Sequence, residues 1–170
     1  MSAIRAVHRA IRMECDHHMV EPIVWASLGI SLAVFLSVIG AALGISSAAP
    51  AIAAAGTERP EIVSRSLIAT ILAEALAIYG LVVGLLSINK LGIITATSVD
   101  GGFKLFFSGT IMGIGALAAG FGIGTSGGAM ASATAERPEL FSRTVVPLIL
   151  AEALAIYAFV AALLLVIQVT

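Results

Sequence analysis

Long apolar stretches separated by short polar segments dominate the pattern along the chain. Four such stretches cover roughly residues 23–55, 66–88, 105–133 and 145–168. Each reaches the ~20 residues that a helix needs to cross about 30 Å of hydrocarbon. They are too long, and alternate too little, to be strands of a membrane β-barrel. The pattern predicts an all-α membrane protein with four transmembrane helices, the first and third long enough to tilt or to project beyond the bilayer.

The chain repeats itself with an offset of 78 residues. The segments 71–79 and 149–157 both read ILAEALAIY, and the polar segments 57–65 and 135–143 also match in register. Such self-similarity indicates an internal duplication. Because each copy contains two spans, the copies have the same orientation in the membrane and are parallel rather than inverted repeats.

The duplication predicts how the chain is divided. A polar N-terminal segment at 1–22 precedes a first helical hairpin at 23–88, an inter-repeat loop at 89–104 and a second helical hairpin at 105–170. In the N-terminal segment, Arg5, His8, Arg9 and Arg12 recur at helical spacing, so the segment is an interfacial helix, a targeting remnant or a disordered tail. It lacks the apolar core of a cleaved signal peptide.

The amino-acid composition agrees with a membrane location and limits the functions that the chain can have. Hydrophobic residues make up 59% of the chain and charged residues 11%, a balance that the surface of a soluble domain of this size could not accommodate. A net charge of −1 gives no electrostatic reason to bind nucleic acid. The single cysteine, Cys15, excludes an internal disulfide, and its proximity to His17 and His18 does not by itself predict a metal site.

Glycines at four-residue spacing line the first and third stretches. This spacing lets helix backbones approach closely in lipid, where packing replaces the hydrophobic effect. One interpretation is packing among the four helices of the chain; the other is crowding on several sides, as in the inner wall of a ring of many protomers. The expected packing positions are Gly40, Gly44, Gly120, Gly124 and Gly128.

One carboxylate lies in the second helix of each repeat, at Glu74 and Glu152. Both positions are near the middle of their spans, where an ionised carboxylate costs at least ~2.5–3.5 kcal/mol. Neither span offers a Lys, Arg or His partner, so each carboxyl is either protonated or binds a cation. A structural role for a protonated acid is possible, but its presence in both copies favours a working ion site.

The neighbouring residues favour H⁺ over Na⁺ as the ion. Thr70, one turn before Glu74, is a hydroxyl at the first site, whereas Leu148 holds the same place at the second. The apolar spans of the first and third helices contain no Asn or Gln, so side-chain ligands for Na⁺ are few. Tyr79 and Tyr157 follow the two carboxylates by five residues; each either donates a hydrogen bond near a carboxylate or packs between helices, and we favour packing.

Together, these motifs resemble the proteolipid (c-type) subunits of the rotary V-type and A-type ATPases over about residues 24–168. The resemblance rests on the small-residue first helix of each repeat, on the loops with Arg59-Pro60 and Arg137-Pro138, and on the carboxylate helix that ends in Ala-Ile-Tyr. Both the c and c″ subclasses look similar. Many duplicated members keep the carboxylate in only one hairpin, so this chain either carries two ions or has one silent site.

The resemblance implies a rotor ring built with other proteolipid subunits in the lipid bilayer. Glu74 and Glu152 match the ion-carrying position, with H⁺ as the transported ion and no cofactor. A stator a-type subunit would supply an essential arginine, and a central-stalk d-type subunit would dock on the polar loops. By this resemblance, the docking residues are Glu58, Arg59, Pro60, Glu61, Glu136, Arg137, Pro138 and Glu139.

The resemblance implies that the chain is a non-catalytic subunit of the ATPase and that ATP hydrolysis or synthesis takes place on its partners. The sequence agrees, because it contains no phosphate-binding loop. The membrane would be vacuolar or another endomembrane in a eukaryote and the plasma membrane in a prokaryote. Two other functions stay open: a stand-alone proton channel, and a purely structural membrane oligomer.

Overall fold

The computed structural model describes the backbone of residues 2–94 and 99–170, and the side chains of residues 5, 22–92 and 100–170. Within these ranges all regular secondary structure is helical. The elements are α1 (Ser2–Glu58), α2 (Pro60–Ser66), α3 (Ile68–Ile94), α4 (Val99–Glu136), a 3₁₀ turn (Pro138–Leu140) and α5 (Phe141–Ile167).

Four helical segments are long and apolar enough to cross a membrane, which confirms the predicted architecture. They cover Pro22–Glu58, Pro60–Gly92, Asp100–Glu136 and Pro138–Ile167. The first and third contain 37 residues each, or about 55 Å of helix, and therefore exceed a hydrocarbon layer of about 30 Å. The chain is an integral multi-pass membrane protein.

Helices α1 and α4 pack side by side and run in the same direction. A methyl group on Gly29 would meet the backbone of Leu105, and one on Gly40 would meet Ala116, so the paired positions advance together along both helices. Gly120 lies against the carbonyl oxygen of Gly40. The predicted glycine positions therefore bring the two backbones together within one chain, as small residues do between membrane helices.

In each hairpin a glycine of the first helix packs against an alanine of the second helix. Gly44 of α1 faces the methyl group of Ala73 of α3, 2.8 Å from where a Cβ on the glycine would lie. Gly122 of α4 faces Ala151 of α5 in the equivalent contact, at 3.1 Å. Because both partners of the first contact are 78 residues before those of the second, the two hairpins share one packing arrangement.

The polar loops end the long helices through their prolines. A residue before proline is disfavoured in the helical conformation, and Arg59 and Arg137 are accordingly extended, with φ/ψ of −140°/88° and −138°/97°. Pro60 and Pro138 then start the next helical segments at their first turns. The same local rule thus produces the same break in both repeats.

Side-chain contacts also join the helices at the end of the bundle opposite the polar loops. Lys90 donates a hydrogen bond to the carbonyl oxygen of Val169 at 2.8 Å, which joins α3 to the C-terminus. Trp25 of α1 packs against the rings of Phe103 and Phe106 of α4 at 5.5 and 5.1 Å. The amphipathic indole ring of a tryptophan is typical of the membrane–water interface.

Two predicted boundary regions are more helical than the sequence pattern suggests. Helix α1 begins at Ser2, so the polar N-terminal segment continues into the first span as one helix. Helices α3 and α4 extend into the predicted 89–104 loop and leave only 95–98 between them, outside the described residues.

Candidate functional site

Glu152 lies in the apolar middle of α5. It is nine residues, about 13 Å, beyond Arg143 of the polar loop and fifteen residues, about 22 Å, before the end of the helix at Ile167. Its side chain is buried within the chain, with 7% of its surface exposed. The carboxyl group is therefore enclosed by protein at membrane depth.

A tyrosine from the other hairpin reaches this carboxyl. The hydroxyl of Tyr79 on α3 donates a hydrogen bond to Oε1 of Glu152 at 2.6 Å. The ring of Tyr79 also packs against Phe159 of α5, with centroids 5.1 Å apart. The sequence pattern favours packing as the role of this tyrosine; in the structure, the side chain makes both the packing contact and the hydrogen bond.

The second carboxyl oxygen of Glu152 has a different environment. Oε2 is buried and has no hydrogen-bond partner among the described residues. A buried polar atom without a partner requires a physical explanation. Oε2 is therefore the atom of this site that is available to bind a proton or another cation.

Glu74 occupies the equivalent place on α3 but is exposed on the surface of the chain. Tyr157, which corresponds to Tyr79, has 67% of its surface exposed. The structure therefore brings Tyr79 to Glu152 and leaves Glu74 and Tyr157 apart on open faces. Thr70 donates to the carbonyl oxygen of Leu67 in its own helix.

Local sequence cannot explain this difference, since both carboxylates lie in the same nine residues ILAEALAIY. The difference comes from position in the bundle. The second hairpin packs beside the first, and Glu152 lies in the junction between them. Glu74 is outside that junction and is exposed.

Most hydroxyl groups in the spans donate hydrogen bonds to backbone carbonyl oxygens of their own helices. Ser31, Thr110 and Thr125 donate to backbone carbonyl oxygens three or four residues earlier. Ser37 and Ser66 differ, because their buried hydroxyls have no partner among the described residues, and Ser108 donates to the carbonyl oxygen of Ala162 on α5 at 2.8 Å. Within the described part of the chain, no three His, Cys, Asp or Glu side chains lie close enough together to hold a metal ion.

The polar loops present their charges at one end of the bundle. Glu58 and Glu136, which are equivalent in the two repeats, line one shallow groove between α1 and α4. Arg59, Glu61 and Arg137 lie immediately beside it in the chain. The remaining predicted loop residues, Pro60, Pro138 and Glu139, lie in the short helical turns that follow.

Comparison with known proteins identifies the chain's relatives. The sequence model of the family of ATP synthase C subunits matches twice, at residues 28–87 and 106–165. The 16 kDa proteolipid (c-type) subunits of the V-type proton ATPases of Ovis aries and Homo sapiens are each 39% identical over 141 residues, covering 83% of this chain and 90% of the relative.

The c″ subunit of the V-type proton ATPase of Saccharomyces cerevisiae is 36% identical over 132 residues, which are 74% of this chain and 62% of that protein. The two matches to the family cover both hairpins and agree with the internal duplication. The chain belongs to the family of ATP synthase C subunits, and its relatives within that family are proteolipid subunits of V-type proton ATPases.

Proposed function

We propose that this chain carries H⁺ across the membrane as part of a V-type ATPase rotor ring, by reversible protonation of Glu152 and of Glu74. The observation that carries the proposal is the buried Glu152 carboxyl at membrane depth, with one oxygen bonded to Tyr79 and the other without a partner among the described residues. Relatives named as proteolipid subunits of proton ATPases support the choice of ion.

The energetics support a carboxyl that both binds and releases a proton. An ionised carboxylate at the bilayer centre costs ~2.5–3.5 kcal/mol or more. A hydrogen bond to a charged group contributes ~1.5–3 kcal/mol. Because these magnitudes are similar, the hydrogen bond from the Tyr79 hydroxyl offsets much of the cost of placing a carboxylate at this depth.

The hydrogen-bonding groups around Glu152 also suit H⁺ transport better than Na⁺ transport. Tyr79 is the one side chain that hydrogen-bonds Glu152 among the described residues. A sodium site needs several oxygen atoms that converge on the ion, whereas a proton needs one carboxyl oxygen. The unpartnered Oε2 supplies that oxygen.

In this proposal the chain is the ion-carrying subunit of a larger complex, and ATP hydrolysis or synthesis takes place on other subunits. A stator a-type subunit discharges the carboxyl through an arginine, and a central-stalk d-type subunit docks on the loops around Glu58 and Glu136. Those loops are charged, exposed and at one end of the bundle, as a docking surface requires.

Transport by membranes that contain the assembled ATPase tests the proposal. Glu152→Gln keeps the shape of the side chain and removes the titratable proton, so we expect ATP-driven acidification of vesicles to be lost while the complex still assembles. Glu74→Gln shows whether the first site also carries ions. Asp100→Asn, at an exposed acidic position outside the docking loops, is the matched control and should acidify normally.

The same measurement separates the other functions. A purely structural oligomer predicts normal acidification by Glu152→Gln and Glu74→Gln, either alone or combined. A stand-alone channel predicts that the purified chain conducts H⁺ in liposomes without any partner protein. Either result would overturn the proposal.

A further inference from the structure

Tyr79 of α3 contacts α5 at two points. Its hydroxyl donates to Oε1 of Glu152 at 2.6 Å, and its ring packs against the ring of Phe159, with centroids 5.1 Å apart and planes inclined by 30°. Phe159 is seven residues, or about two helical turns, beyond Glu152, so both residues lie on one face of α5 about 10 Å apart along the helix axis. The tyrosine ring therefore lies along this face, between the phenylalanine and the carboxyl group.

The face of α5 between these two contacts is small and buried. Ala155, three residues after Glu152, is completely buried, whereas the next residue, Ile156, is 40% exposed. A helical side chain covers the turn that precedes its own Cα, so the ring of Phe159 lies over the turn that contains Ala155. Ala155 contributes a single methyl group there, and this leaves room for the ring of Tyr79.

The two repeats diverge directly after the tyrosine. The segments 71–79 and 149–157 are identical, but Gly80-Leu81 follows the first and Ala158-Phe159 follows the second. The residue seven positions after the carboxylate is thus a leucine in one repeat and a phenylalanine in the other. The helix with the phenylalanine is the one whose carboxylate accepts the tyrosine hydrogen bond. The duplication therefore does not account for the aromatic residue at position 159.

The direction of the Tyr79 hydroxyl depends on the side chain's rotamer, since χ1 has three staggered alternatives. Helix α1 fixes the backbone next to this tyrosine, because a methyl group on Gly80 would meet the side chain of Ser37. Phe159 is the aromatic side chain that packs against the tyrosine ring itself, among the residues that the structure describes. The backbone and the ring of Tyr79 are thus held by different helices.

We infer that Phe159 is a positioning residue for proton transport: its ring holds Tyr79 in the rotamer that directs the hydroxyl at Oε1 of Glu152. Phe159 exchanges no proton and acts through the tyrosine. The inference rests on the proposed function, in which Glu152 carries H⁺, and adds a residue that controls the hydrogen bond at that site. An aromatic pair at this separation is favourable beyond the area that it buries, so an aliphatic residue at position 159 should release the tyrosine.

The hydrogen bond can be measured in the purified full-length chain without the ATPase. The chain has two tyrosines, so a Tyr157→Phe background leaves Tyr79 as its single phenol. Ultraviolet resonance Raman spectra report whether a phenol donates a hydrogen bond, and Glu152→Leu gives the spectrum of Tyr79 without its acceptor. Phe159→Ala should lower the ratio of bonded to free hydroxyl about two- to tenfold. Phe159→Leu, which introduces the residue of the first repeat and keeps most of the apolar volume, should lower it in the same direction.

A double-mutant cycle on ATP-driven acidification by the assembled complex tests whether Phe159 acts through the hydroxyl. Phe159→Ala alone should slow acidification about two- to tenfold. In a Tyr79→Phe background the same change should have no further effect, because the hydroxyl that it positions is already absent. Leu164→Ala, at a position of α5 that is 56% exposed, is the matched control and should change neither the spectrum of Tyr79 nor the rate.

The results separate this inference from the proposed function. A Tyr79 signal that moves towards the Glu152→Leu spectrum in both Phe159 variants, together with a non-additive cycle, supports the inference. A wild-type signal in both variants overturns it, and so does an undiminished effect of Phe159→Ala in the Tyr79→Phe background. Normal acidification by Glu152→Gln would instead remove the proton-carrying role and leave the spectroscopic result in place.

Discussion

Gly115 on α4 provides a sharp test of how the hairpins pack. A methyl group added there would collide with the methyl group of Ala158 on α5, and the next nearest heavy atom, the Cα of Ala158, is 3.9 Å away. At the equivalent contact in the first hairpin the two residue sizes are exchanged, with Ser37 on α1 and Gly80 on α3. The larger residue thus lies on the first helix in one repeat and on the second helix in the other.

Overpacking of this kind costs ~1–3 kcal/mol. Gly115→Ala should lose that amount, reduced by up to about 1 kcal/mol because alanine is the better helix former. Ala158→Gly should lose about 1 kcal/mol for the reverse reason. The double variant exchanges the two residues and removes the collision, so its stability should return close to that of the wild type.

The assay is a double-mutant cycle on the full-length chain in detergent micelles, with unfolding by a denaturing detergent followed through circular dichroism. We expect a coupling energy of ~1–3 kcal/mol between the two sites. Gly92→Ala is the matched control, because a methyl group there would meet no heavy atom within 4 Å. Additive single effects, or a Gly115→Ala variant as stable as Gly92→Ala, would refute the packing argument.

Two further variants test the site and the helix core. Tyr79→Phe keeps the ring and removes the hydroxyl donated to Glu152, so we expect ATP-driven acidification to slow about tenfold with normal assembly; unchanged acidification would remove this tyrosine from the mechanism. Gly120→Ala would place a methyl group against the carbonyl oxygen of Gly40 and should destabilise the chain by ~1–3 kcal/mol. Gly128→Ala, with its nearest atom at 3.4 Å, should unfold like the wild type, and similar unfolding curves for both glycine variants would contradict this.

The sequence is sufficient to predict the four spans and the duplication. Both depend on information that is local or repeated: the length of an apolar run, and the identity of ILAEALAIY in the two copies. The prolines Pro60 and Pro138 likewise impose the loop geometry on their preceding residues without help from the rest of the fold.

The site is only partly predictable. Glu74 and Glu152 stand out by the cost of a carboxylate in lipid, but the same local sequence surrounds both. Burial of one and exposure of the other depends on which hairpin lies beside which, and this is a property of the assembled helices. The Tyr79–Glu152 bond joins residues 73 positions apart, and the repeat register alone does not reveal it.

The continuous helix from Ser2 to Glu58 is another feature that the sequence pattern does not reveal. Arg5, Arg9 and Arg12 recur at helical spacing, but so short a pattern is compatible with a tail as well as with a helix. The unpartnered Ser37 hydroxyl is a similar case, because its burial arises from contact with Gly80 of another helix.

The most direct test of proton carriage is carbodiimide labelling of native membranes, mapped by mass spectrometry across pH and with or without Na⁺. The reagent attacks protonated carboxyls in apolar surroundings. We predict selective labelling of Glu152 and Glu74 that falls as the pH rises and does not respond to Na⁺. Protection by Na⁺ would contradict the choice of ion, and the absence of labelling at both glutamates would contradict the proton-carrying site.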